Sequence, residues 1–231
     1  MRTREVRART WHLLTAAVVA FAVVFQLVLV VRGVDPLLPE AYPSVGTRLV
    51  RFFSYFTILS NLLVLASTAP LVRSVPEGRL WRVLRLDAVV CIAVTGLVHW
   101  FVLRPLLDLH GASYAADKLL HVVSPLLAVI GWAVFGPRGR LGRADLLPAL
   151  VFPVVWVAYT LVHGAVSGWY PYPFIDVGLH GYPRVLVSCL GVAALLLALS
   201  GAALLLDARL PVGGVSRSSS DTTPRRPTGR T

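Results

Sequence analysis

Six long apolar runs, parted by short segments that hold most of the charge, constrain this 231-residue chain more than any other feature. A helix that crosses a bilayer needs about 20 mostly apolar residues, and the runs at 11–31, 52–72, 86–103, 116–135, 146–166 and 184–206 come close to that length or exceed it. Only 14% of the residues are charged, where a soluble globule has about a quarter, and the mean hydropathy is +0.73. A soluble enzyme is excluded. The expected fold is all-α: a polytopic membrane bundle of six transmembrane helices over 11–206, preceded by a basic segment at 1–10. A tail at 207–231, rich in Ser, Thr, Pro, Gly and Arg, is expected to be disordered beside anionic headgroups. The first run follows a basic start, as a signal peptide would. It is longer than the roughly 7–15 residues of a signal core and no small-residue cleavage site follows it, so it reads as a retained helix.

Lys and Arg resist translocation and collect on the cytoplasmic side. Arg2, Arg4, Arg7 and Arg9 precede the first run. Arg73, Arg79, Arg82 and Arg85 lie between the second and third, and Arg138, Arg140 and Arg143 between the fourth and fifth. Arg209, Arg217, Arg225, Arg226 and Arg230 follow the sixth. The opposite side keeps only Arg32, Arg48, Arg51, Arg104, Lys118 and Arg184, which predicts that both termini are cytoplasmic. The same distribution removes nucleic acid as a partner: a net charge of +11 and a pI near 10.8 arise from arginines dispersed for topology, without aromatic stacking partners. Cys91 and Cys189 fall singly inside spans and read as small core residues, with no metal-ligand spacing. Lys118 is the one lysine among 22 basic residues; with abundant Ala, Val, Gly and Leu this suggests a GC-rich coding sequence and a bacterial inner membrane.

Polar groups inside spans are costly and mark function. Counted from the outer ends at about 1.5 Å per residue, His121 lies ~7 Å deep, His99 ~6 Å, His163 ~5 Å and Thr57 ~8 Å. His12, at the cytoplasmic edge, reads as an interfacial side chain. Ser54, Thr57 and Asn61 share one face of the second span, and Asp117, His121 and Ser124 one face of the fourth; the third adds Thr95 and His99, the fifth Thr160 and His163. Lipid offers no hydrogen-bond partners, so these faces should turn inward on one another.

A hydroxyl becomes a nucleophile when a base removes its proton, and imidazole can be neutral near pH 7 and still accept one. Thr57 with His121 is the simplest such pair. Asp117, one turn from His121 on the same face, is placed to orient the imidazole, and Asn61 to donate to a developing oxyanion; His99 and His163 are supporting candidates. The competing structural readings are plain. A membrane threonine commonly bonds its own i−4 carbonyl, Asn61 can be a packing contact, and Asp117 and Lys118 can be interfacial charges.

The stretch Phe52-Phe-Ser-Tyr-Phe-Thr57-Ile-Leu-Ser-Asn61, the segment Asp117-Lys-Leu-Leu-His121 followed by Pro125, and the loop Gly168-Trp-Tyr-Pro-Tyr-Pro-Phe-Ile-Asp176 together resemble the bacterial six-span "Pr-six-Pr" membrane family. That family is in turn similar to the eukaryotic androgen-induced protein family, which includes the androgen-dependent TFPI-regulating protein. The resemblance covers 11–206 and rests on the motifs in combination. It implies a membrane-embedded threonine hydrolase, since the eukaryotic members cleave fatty-acid esters of hydroxy fatty acids with a threonine and a histidine, which map onto Thr57 and His121. The partner expected is a membrane lipid or other amphiphilic ester, with no cofactor and no metal. Two other classes stay open. His99, His121 and His163 could ligate b-type haem for electron transfer, and the polar faces could line a transport path or glue an assembly protein, although no internal repeat supports transport. The aromatic, proline-rich stretch at 169–174 reads as an interfacial anchor or a cap over an outer cavity.

Overall fold

The computed structural model describes residues 2–34 and 44–210. Most of the tail expected to be disordered, with Arg217, Arg225, Arg226 and Arg230, lies outside the described residues. Among those described there are helices and no strands. Helix α1 spans Arg2–Val31, α2 Val45–Ser54, α3 Phe56–Thr68, α4 Arg79–Val98, α5 Gly111–Lys118, α6 Ser124–Phe135, α7 Leu146–Ala149, α8 Val151–Ser167 and α9 Val177–Arg209. Five continuous stretches are long and apolar enough to cross a membrane, and α2 with α3 makes a sixth if that bent pair is one span.

Several expected boundaries move. The segment expected at 1–10 belongs, from Arg2 onward, to α1. Arg79, Arg82 and Arg85, read above as loop charges, belong to the first two turns of α4, where Arg85 is buried and donates to Thr68 Oγ1 at 2.9 Å. His12, expected at the interface, is also buried, edge-on to Phe135. The last helix reaches back to Val177 across a break at Gly181, whose φ of +71° suits a residue without a side chain just ahead of Pro183. It extends forward to Asp207, whose Oδ2 accepts the backbone N–H groups of Arg140 (2.8 Å) and Leu141 (2.9 Å). Asp145, paired with Arg79 and Arg82, clamps the same end of the bundle.

Helix α4 is central: it packs on α3, α6 and α9, and 56% of its most apolar stretch is buried, against 17% for α9, which leaves α9 mostly exposed. Helix α1 backs α3 and α6. Gly96 lets α4 approach the α5–α6 segment closely, because a Cβ there would sit 3.3 Å from His121 O and from Pro125 Cβ. Pro125 cannot donate to the carbonyl of His121 and its ring crowds that oxygen, so the chain widens into a π-helical turn at Leu119–Val123. A second π-helical turn, His99–Leu103, ends α4 at the same level.

The run at 52–72 is not the straight rod its hydropathy implies. Tyr55 is extended (φ −70°, ψ 125°), and α2 and α3 meet at 67°. Such a break exposes backbone groups that lipid cannot satisfy, and neighbouring side chains take them up. Trp156 Nε1 donates to Ser54 O at 2.9 Å, and the N–H of Thr57 donates to the hydroxyl of Tyr172 at 3.2 Å. Phe56, Trp156, Tyr172 and Ile175 are buried in one apolar cluster, so the loop after α8 is packed into the bundle around this break.

Candidate active site

The break sets the chemistry of Thr57. In a continuous helix its hydroxyl would bond the carbonyl four residues back, as Thr15 does to Trp11 O at 2.9 Å. With Tyr55 extended, Thr57 sits in the first turn of α3 and its Oγ1 turns outward from the helix, 3.1 Å from His121 Nε2 and 3.2 Å from the Tyr172 hydroxyl. Thr57 is buried and His121 partly so.

On its other side His121 Nδ1 lies 3.0 Å from the Asp117 backbone oxygen and 3.1 Å from Asp117 Oδ1. Both are acceptors, so the imidazole proton belongs on Nδ1 and the lone pair on Nε2 faces Thr57. The hydrogens then run in one direction: Thr57 N–H to the Tyr172 oxygen, Tyr172 O–H to Thr57 Oγ1, Thr57 Oγ1–H to His121 Nε2, and His121 Nδ1–H to Asp117. Asp117 Oδ2 is held 3.2 Å from Lys118 Nζ, and that ammonium sits over the Tyr114 ring at 5.0 Å. His99, fully buried, stacks on His121 with ring centres 3.9 Å apart and planes 15° from parallel. Its Nε2 is 3.2 Å from Asp117 Oδ1 but is not aligned for a hydrogen bond. Burial in the loop pushes the Tyr172 phenol above its ordinary range, so that it stays a donor.

Four residues singled out by sequence thus meet: Thr57, His121, Asp117 and His99. Two do not act as expected. Asn61 spends both amide hydrogens on carbonyls, Thr57 O at 2.8 Å and Leu120 O at 3.3 Å, and so ties α3 to the turn carrying His121 instead of offering a donor to an oxyanion. His163 stands apart, stacked near Tyr159 and bonded to Ser167 at 3.4 Å. Tyr172 joins this cluster although the sequence does not single it out: the stretch at 169–174 reads as an anchor or cap, and no pattern marks its buried hydroxyl.

Two cavities meet at Thr57 and Tyr172. One, about 270 Å³, is lined by Arg48, Arg51, His99, Asp117 and His121. The other, about 510 Å³, is almost wholly apolar and runs among α3, α4, α8 and α9 past Val94, Trp156, Leu161 and Leu196.

Haem does not fit the His99–His121 pair as it stands. A bis-histidine haem places its macrocycle between two imidazoles, and the His99–His121 stack leaves no gap for one. Ligand atoms of His99, Asp117 and His121 do lie within 4.8 Å of one another, a spacing an ion could use. No protein-family model, curated protein or solved structure matches the chain.

Proposed function

We propose that this chain, whose apolar helices fit an integral membrane protein, is an intramembrane threonine hydrolase of the bacterial inner membrane. It cleaves fatty-acyl esters near the outer face, with both termini cytoplasmic, in keeping with the resemblance to the "Pr-six-Pr" family. The observation that carries the reading is the 3.1 Å contact between Thr57 Oγ1 and the nitrogen of His121 that Asp117 leaves unprotonated.

Thr57 Oγ1 attacks the ester carbonyl carbon while its proton passes to His121 Nε2. The carbonyl oxygen becomes an oxyanion, and the Tyr172 hydroxyl, freed from Oγ1 as that oxygen bonds to carbon, rotates to donate to it. Asp117 holds the imidazolium. Collapse breaks the ester C–O bond, the leaving alcohol takes the proton from Nε2, and the acyl group remains on Thr57. Water then attacks the acyl-threonine carbonyl and gives a proton to His121, which passes it to Thr57 Oγ1 as the C–Oγ1 bond breaks, releasing the fatty acid and restoring both residues. The apolar cavity beside Thr57 supplies room for the acyl chain, within the usual size of a small-molecule site of roughly 300–1,000 Å³.

The experiment is covalent labelling of the detergent-purified chain by a fluorophosphonate probe. The wild-type chain is expected to label, and Thr57→Ala and His121→Ala each to abolish it. Undiminished labelling in both variants rejects the pair.

A further inference from the structure

The outer cavity carries a charge that the hydrolytic machinery does not use. Arg48 and Arg51 are three residues apart on α2, hence on one face, and both line the cavity that holds His121. Among the described residues neither forms an ion pair. The Nε of Arg48 is buried without a hydrogen-bond partner, and the Arg51 guanidinium is held 5.0 Å above the Trp169 ring, which fixes its plane but supplies no acceptor. Among the described residues, the one carboxylate in the cavity wall, Asp117, is already engaged with His121 and Lys118. Two arginines placed against a half-enclosed cavity, with no free counter-charge among the described residues, make a site for an anion.

We infer that this cavity binds the phosphate of the substrate's polar portion, and that the ester cleaved is an acyl ester of a phosphorylated alcohol, of the acyl-glycerol phosphate type. A phosphate monoester presents three terminal oxygens and close to two negative charges, enough for both guanidinium forks. A carboxylate has two oxygens and one charge, which one fork satisfies. With the phosphate against α2 and the acyl chain in the apolar cavity, the ester lies between the two at Thr57. The reaction is ester plus water to fatty acid plus phosphorylated alcohol, with no other reactant. The inference rests on the hydrolase reading for which bond is cut, but the anion site itself can be measured without turnover.

The test uses the full-length Thr57→Ala chain in detergent micelles and measures binding, by native mass spectrometry, of three amphiphiles with the same acyl chain: an acyl-glycerol phosphate, a neutral monoacylglycerol and an acyloxy carboxylic acid. The phosphate is expected to bind at least about tenfold tighter than the neutral lipid, and tighter than the carboxylate. Adding Arg48→Gln and Arg51→Gln should erase the preference. Arg48→Lys, which keeps the charge and loses the fork, should retain part of it, and a thermal melt of each variant identifies any that fail to fold. Equal binding of the phosphate and the neutral lipid, tighter binding of the carboxylate, or a preference that survives in the folded double variant overturns the inference. Fluorophosphonate labelling of the wild-type chain reports separately on the hydrolase: labelling without phosphate preference removes the anion site alone, and phosphate preference without labelling removes the hydrolase alone.

Discussion

Tyr172→Phe separates the structural work of one hydroxyl from its chemical work. The ring is 8% exposed and packs edge-on to Tyr55 and parallel to Phe174, contacts that phenylalanine keeps. What is lost is an oxygen that accepts the Thr57 N–H at 3.2 Å and lies 3.2 Å from Oγ1. Leaving that buried amide without an acceptor costs about 1–3 kcal/mol, a fall in melting temperature of roughly 2–4 °C for each kcal/mol. Losing a donor to the oxyanion costs about 10²–10³ in kcat, with KM little changed because the ground-state ester makes no use of it. The assay pairs a thermal melt in detergent with hydrolysis of a chromogenic acyl ester. A melt lowered as expected with kcat intact would refute the oxyanion role and leave Tyr172 as a cap on the broken helix. Both unchanged would refute the hydrogen bonds themselves. Because burial raises the phenol above its ordinary value near 10, the rate should show no alkaline decline from Tyr172 below about pH 10.

Asp117→Asn removes the carboxylate that would hold the imidazolium, while the backbone oxygen of residue 117 still takes the Nδ1 proton; kcat on the same ester should fall by about 10²–10⁴ with the melt little changed. Gly164→Ala places a methyl within the ring of Tyr170, which covers that glycine, so that ring, two residues from Tyr172, must move. The expected loss is about 1–3 kcal/mol of stability together with weaker fluorophosphonate labelling. Asp207→Ala strands the amides of Arg140 and Leu141 at about 1–3 kcal/mol each; its melt should fall while labelling of the surviving folded chain stays at the wild-type level.

Hydropathy made the helical architecture legible because the requirement for about 20 apolar residues acts on every span independently. It could not register the turn at Tyr55. Nothing between Phe52 and Val72 breaks a helix by propensity except Pro70, which sits at the far end of the run. The bend depends on Trp156 and Tyr172, groups about 100 residues away that accept or supply the hydrogen bonds the backbone gives up. Depth counting brought Thr57, His99 and His121 to one level, and the structure joins them; Asp117 was found because i and i+4 share a helix face. Depth says nothing of azimuth, which is why His163, at nearly the same depth, lies outside the cluster. Asn61 lies on the polar face with its amide turned to two carbonyls, a choice the sequence does not show because it does not say which acceptors lie nearer to an amide than the cavity does.

The arrangement explains how a threonine in lipid escapes the partner that normally silences it. Ser54, on the preceding turn, bonds Val50 O at 2.8 Å, four residues back, and Thr15 does likewise in α1. The carbonyl that would occupy Thr57 in the same way belongs to Phe53, and the extended Tyr55 carries it out of reach by ending one helix before the next begins. The availability of this hydroxyl is therefore set by backbone geometry before any base is considered. The same break frees the amide that docks Tyr172, so the step that exposes Oγ1 also delivers the second hydroxyl to it. Asn61 adds the third coupling: by bonding Thr57 O and Leu120 O together, it fixes the start of α3 against the π-helical turn, and the 3.1 Å separation of Thr57 from His121 is then set by main chain on both sides and not by two side chains meeting at random.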